Sequence, residues 1–162
     1  MVKQMAEYFT AEKQESLLFI AVGLLAIAIA VWLWLSGHRL RSMAFPLIGV
    51  ALIQIVVGAT VYLRTDGQLA QLTQQISSAA QATRQAELTR MQAVMKNFTV
   101  YKTIEIVLLG VGIAFIAFLQ RLDWATGVGA GLVLQSAFML TLDMFAEARG
   151  QDYVKALGAL TS

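Results

Sequence analysis

Four runs of apolar residues divide the chain: Leu17–Leu35, Met43–Leu63, Ile104–Leu119 and Trp124–Leu142. A membrane-crossing helix takes about 20 such residues, so each run is a candidate span. The polar stretches between them differ in kind. SGHRLRS, Ser36–Ser42, is short enough to force the first two runs into an antiparallel hairpin. Gln68–Lys102 is long, rich in Gln, Ala, Ser and Thr, and contains neither Gly nor Pro, which predicts helix throughout.

Within that long stretch the apolar positions fall at Leu69, Leu72 and Ile76, and again at Leu88, Met91, Met95 and Phe98. Both sets have the three-to-four spacing of an amphipathic helix, but the gap between them rotates the second stripe by about 120°. One straight face therefore does not carry both. A single rigid helix over this stretch would be about 46 Å long, whereas the preceding RTDG turn and its neighbour span at most about 17 Å. Such a helix projecting from a membrane could not return the chain to the third run. Either it lies flat on the surface, or it folds back around Ser77–Arg84 so that the two stripes face each other. The fold-back accounts for the change of phase.

Local signals set the expected ends of the elements. In EYFTAEKQESLLF, Thr10 is placed as a helix N-cap with Glu12 in the first turn, where a carboxylate favours the dipole. Pro46 is tolerable in the first turn of the second run. RTDG, Arg64–Gly67, reads as the turn that ends that run. The expected fold is all-α: an integral membrane bundle of four transmembrane helices with an extramembrane amphipathic helical connection and a C-terminal tail over 143–162, all one domain. The layout also repeats. Sliding Lys13 onto Lys102 aligns Val22-Gly23 with Val111-Gly112, and a second offset aligns Leu52-Ile53-Gln54 with Val133-Leu134-Gln135 and Thr60 with Thr141. This is either a parallel duplication or the chance similarity of two apolar pairs.

Composition strengthens the membrane reading. The 162 residues are 58% hydrophobic and 14% charged, well away from the roughly 45–50% apolar and 25% charged make-up of soluble domains. The first run is not a removable signal, because Glu7, Glu12 and Glu15 precede it and no small-residue cleavage site follows. Without cysteine there are no disulfides or thiolate sites. A net charge of +2 with scattered Lys and Arg offers nothing to nucleic acid. Nine Lys/Arg fall on the side of the termini and the long connection, against Arg39, Arg41 and Arg121 on the other. That count favours a multi-pass protein with both termini cytoplasmic, although the three opposing arginines are densely placed in very short loops.

Polar residues inside the runs are the candidate chemistry. Glu105 and Asp143 come out at similar depth near one membrane face, where Arg64 ends the second run, so a Glu–Asp–Arg cluster is sterically possible. Glu105 could equally pair with Lys102 and snorkel to the interface. Gln54 and Gln135 lie near the middle of their runs, and a mutual hydrogen bond would satisfy both. The alternative is a polar lining for a conducting path. Gly110, Gly112, Gly127, Gly129 and Gly131 permit close helix approach. GVGAG lacks the Lys-Ser/Thr that follows a phosphate loop, and the one histidine, His38, sits beside Arg39 in a loop. With no HExxH, GxSxG or paired metal-ligand spacing, neither an enzyme nor a cofactor or metal site is expected.

The compact four-span plan, with its EYFTAEKQESLLF lead-in and helical connection, resembles the small polytopic immunity proteins of bacterial toxin systems, including those of type VI secretion. That resemblance implies an inner-membrane protein that occludes a membrane-acting toxin by helix-to-helix contact. Its partners would be membrane lipid and the toxin. No functional residue of that family carries over; the stripes of the connection, Leu69, Leu72, Ile76, Leu88, Met91, Met95 and Phe98, are the candidate partner-binding surface. The competing expectation is a homo-oligomeric channel or small transporter, with Gln54, Gln135 and the Glu105/Asp143 mouth lining its path.

Overall fold

The computed structural model describes residues 2–159, which fold into three long helices. Helix α1 is Val2–Leu35, α2 is Ala44–Phe118 and α3 is Asp123–Ala159, with one 3-10 turn, Arg41–Met43, leading into α2. Each of the three is long and apolar enough to cross a membrane. Their outward faces carry Leu24, Leu25, Trp32, Ile53, Val56, Ile106, Val107 and Phe138, all exposed. A surface of that kind suits lipid as its solvent.

Four separate transmembrane helices with a distinct connecting helix are thus replaced by three. The expected second run continues as helix into the long connection, and the connection continues as helix into the third run, so all three fall within α2, which is interrupted only at Ala79. Arg64–Gly67 is helical rather than a turn. Gly67 costs about 1 kcal/mol there, but Thr65 is buried and bonds back to the Val61 carbonyl at 2.6 Å, and Asp66 reaches Lys13 on α1. Thr10 is likewise not an N-cap, since α1 already runs from Val2; Met5, Tyr8 and Phe9 are buried ahead of it and hold that turn helical. The expected tail over 143–162 continues α3 as far as Ala159.

One residue inside α2 is not helical. Ala79 sits at φ −152°, ψ 63°, within the Ser77–Arg84 stretch where the apolar stripe changes phase. The chain reverses there. A straight helix would set Leu69 and Met91 about 33 Å apart along its axis, yet both belong to one core with Met5, Tyr8, Phe9, Tyr153 and Leu157. The first arm of α2 (44–78) therefore runs back along α1, where Gly58 meets Ser16 and Gly23 meets Ala51. The second arm (80–118) runs against α3, where Gly112 meets Gly129. Both chain ends and the Ala79 reversal share one end of the molecule, called here the reversal end. The loops 36–43 and 119–122 share the other, the loop end.

Glycine sets the spacing of these helix pairs. A Cβ on Gly112 would lie 2.8 Å from the Gly129 carbonyl oxygen, and one on Gly58 would lie 2.8 Å from that of Ser16. Backbones at this distance gain dispersion contacts that larger side chains would prevent. Gly110 does not take part and faces open space. In the loop, Gly37 adopts φ +61°, a left-handed conformation that a Cβ would disfavour.

The two helical hairpins make matching contacts. Lys13 pairs with Asp66 in the first and Lys102 with Glu147 in the second. Both partners are related by the same two offsets that align the sequence runs. Gln54 and Gln135 are buried at matching depth, and Thr60 and Thr141 each bond the carbonyl four residues earlier.

Candidate functional site

Three polar layers cross the molecule. The first is a core at the reversal end, made of Met5, Tyr8, Phe9, Met91, Tyr153 and Leu157, with Leu69, Leu72, Ile76, Leu88, Val94 and Met95 packed against it. Of the residues expected to form a partner-binding surface, Met91 is buried in this core, Leu69, Leu72, Ile76, Leu88 and Met95 are half-buried against it, and Phe98 is half-buried beyond them. The reversal at Ala79 turns the two stripes toward each other and toward α1 and α3.

This core holds a buried ion pair. Glu87 is 3% exposed and accepts two hydrogen bonds from Arg90, at 2.8 and 2.7 Å, and one from the Tyr153 hydroxyl at 3.2 Å. The Arg90 guanidinium lies 5.6 Å from the centre of the Phe9 ring, and Tyr8 stacks on Tyr153 with centroids 4.4 Å apart. Burial, followed by the nearby Glu12 charge, pushes the Tyr8 hydroxyl up to about 12. Burial and then Glu87 also raise Tyr153. Burial opposes the charge on Arg90, but the Glu87 carboxylate more than offsets it and holds the guanidinium above its ordinary range. Sequence reasoning missed Met5, Tyr8, Phe9, Glu87, Arg90, Tyr153 and Leu157. The three-to-four spacing of Met5, Tyr8 and Phe9, and of Tyr153 and Leu157, was the available signal.

A belt of ion pairs forms the second layer. Lys13–Asp66 and Glu12–Arg64 join α1 to the first arm of α2, the latter at 3.8 Å. Arg149 of α3 reaches Glu15 of α1, and Lys102 of the second arm reaches Glu147 of α3. Burial raises Glu12 and Glu15 above the usual carboxylate range, against the pull of Arg64 and Arg149 respectively. The belt separates the polar reversal end from the apolar remainder, so every helix and both arms carry charge at the same level.

Just inside the belt, Glu105 and Asp143 are both buried and face each other. Arg64 does not join them, because Glu12 is nearer to it on the adjoining helix. Lys102 does not pair with Glu105 either; its ammonium goes to Glu147. The carboxyl oxygen Oε2 of Glu105 has no hydrogen-bond partner among the described residues.

The third layer is the polar interior between the belt and the loop end. Gln54 and Gln135 are both buried but do not bond each other. Gln54 Nε2 donates to the Met139 sulfur at 2.9 Å, and Gln135 Nε2 donates to the Leu47 carbonyl at 3.3 Å. The first arm of α2 runs parallel to α3, and their register sets each amide against the other helix rather than against its counterpart. Gln54 Oε1 is left without a partner among the described residues, a costly state for an amide oxygen in an apolar surrounding.

At the loop end, Arg39 Nε donates to Asp123 at 2.7 Å and Ser42 Oγ donates to the Trp124 carbonyl at 2.9 Å. These two bonds tie the loop between α1 and α2 to the first residues of α3, which follow directly on the second loop. Between them lies a cleft of about 500 Å³ lined by His38, Arg39, Arg41, Arg121 and Trp124. The imidazole Nδ1 of His38 accepts the Leu40 backbone N–H at 3.2 Å, so His38 shapes its own turn.

No protein-family model, curated protein or solved structure matches this chain.

Proposed function

We propose that this chain spans the bilayer four times, α1 and α3 once each and each arm of α2 once, and acts without catalysis through contact with another protein. In its most concrete form it is an inner-membrane immunity protein that neutralises a membrane-acting toxin, with both termini and the Ala79 reversal on the cytoplasmic side. One observation carries this reading: the helices are closely packed against one another. Helices meet backbone to backbone at Gly58, Gly112 and Gly129, and the interior amides bond across helices instead of lining a passage. Packing of this kind leaves the outer surface as the place where another protein meets the chain. Because the stripes on α2 are packed internally, the toxin-facing surface is the lipid-exposed side of the helices, where helix-to-helix occlusion takes place.

Co-expression of the chain with the product of its neighbouring gene tests this. Rescue of growth, together with co-purification of the two proteins in detergent, is the expected result; a harmless neighbour that never co-purifies removes the immunity reading.

The unpartnered oxygens of Gln54 and Glu105 favour a second reading. In a homo-oligomer these groups could line a channel or transport path. Replacing Gln54 and Gln135 with leucine separates the two: ion flux in liposomes that vanishes supports the path, whereas protection that survives in a folded variant supports the interaction.

A further inference from the structure

The reversal end contains nine Lys/Arg and nine Asp/Glu, while the loop end contains Arg39, Arg41 and Arg121 against Asp123 alone. The whole formal side-chain charge of +2 therefore resides at the loop end. Seven of the nine reversal-end cations are in ion pairs. At the loop end only Arg39 is paired, with Asp123; Arg41 and Arg121 have no carboxylate partner among the described residues. Both line the cleft between the loops.

The position of the cleft narrows what it can hold. It opens where α1 ends at Leu35 and α2 at Phe118, the level at which apolar helices leave hydrocarbon for headgroups. Trp124 lines it, more than half exposed, with its ring 6.3 Å from Phe115. Trp32 lies 6.4 Å from His38, which also lines it. Indoles of this kind mark the membrane–water interface, and guanidinium forks match the paired oxygens of a phosphate. The Arg39–Asp123 and Ser42–Trp124 bonds hold the first loop against the start of α3, so the cleft is formed before any ligand arrives.

We propose that this cleft binds the phosphodiester headgroup of an anionic phospholipid, with Arg41 and Arg121 as its phosphate ligands and Trp124 bearing on the glycerol region. The site is independent of the immunity reading, because a lipid can occupy it whatever protein the chain meets.

Delipidated full-length protein in a neutral detergent, titrated with short-chain phosphatidylglycerol, short-chain phosphatidylcholine or inorganic phosphate while its thermal midpoint is followed, tests the assignment. Phosphatidylglycerol raises the midpoint and phosphatidylcholine does not. R41Q/R121Q weakens the apparent affinity for phosphatidylglycerol by about tenfold or more, and K96Q, which removes an exposed cation at the reversal end, leaves it unchanged. R41K/R121K keeps the charge but loses the fork, and falls between; it also decides the matter should the glutamine variant not fold. The proposal is overturned if the arginine variants titrate like wild type or if K96Q loses as much. Equal stabilisation by inorganic phosphate overturns it too, as that marks a free-anion site rather than a lipid one.

Discussion

Tyr8 shows how one residue reports on the fold. It lies near the start of α1, far in sequence from its partners, yet its ring is stacked on Tyr153 and enclosed by four helical segments. With its folded value near 12 and its ordinary value near 10, the folded chain keeps a proton that the unfolded chain releases. Stability from this group is complete below pH 10 and is lost as pH rises towards 12, amounting to about 2 kcal/mol after allowance for partial solvent access. Tyr8→Phe should flatten the stability–pH curve of the detergent-solubilised protein across that window, read by thermal unfolding at successive pH. A curve as steep as wild type would show that Tyr8 is not enclosed. Little of this was legible beforehand, because nothing in EYFTAEKQESLLF reveals that residues near the C-terminus will cover it.

Between elements, the decisive feature is how near the backbones come. Gly110 and Gly112 are two residues apart on one arm of α2, but a Cβ at Gly112 meets the Gly129 carbonyl oxygen and a Cβ at Gly110 meets nothing. Gly112→Ala should cost about 1–3 kcal/mol through overpacking, while Gly110→Ala should be neutral or slightly stabilising because alanine is the better helix former. Chemical unfolding of the two variants in matched micelles checks the contrast, and equal effects would mean that the second arm and α3 do not meet at this face. The run of glycines announced close packing; which ones pack depends on the rotation of α2 about its own axis, a property that spacing alone leaves open.

Taken as a whole molecule, the proposed four crossings place the chain ends and Ala79 on one side of the membrane and His38 on the other. Single cysteines at Ser78 and at Ser36, introduced one at a time into this cysteine-free chain, should be labelled from opposite faces of sealed vesicles by a thiol reagent that does not cross lipid. Labelling of both from the same side would dismantle the arrangement. The ion-pair belt gives this topology its physical sense: charged groups on every helix gather at one level, with the apolar stretches on one side of it and the buried Tyr8–Glu87–Tyr153 core on the other.

Helical class, the apolar runs and the change of stripe phase near Ser77–Arg84 follow from the amino-acid order, since each depends on local composition and on the 3.6-residue period; that the chain folds back there rather than lying flat is the structure's contribution. Only the tertiary structure decides that α2 is continuous through RTDG, that Gln54 and Gln135 bond elsewhere, and that the two stripes form an internal core. Those outcomes rest on which helix lies beside which and at what rotation. Such relations join residues far apart in the chain, where periodicity carries no information.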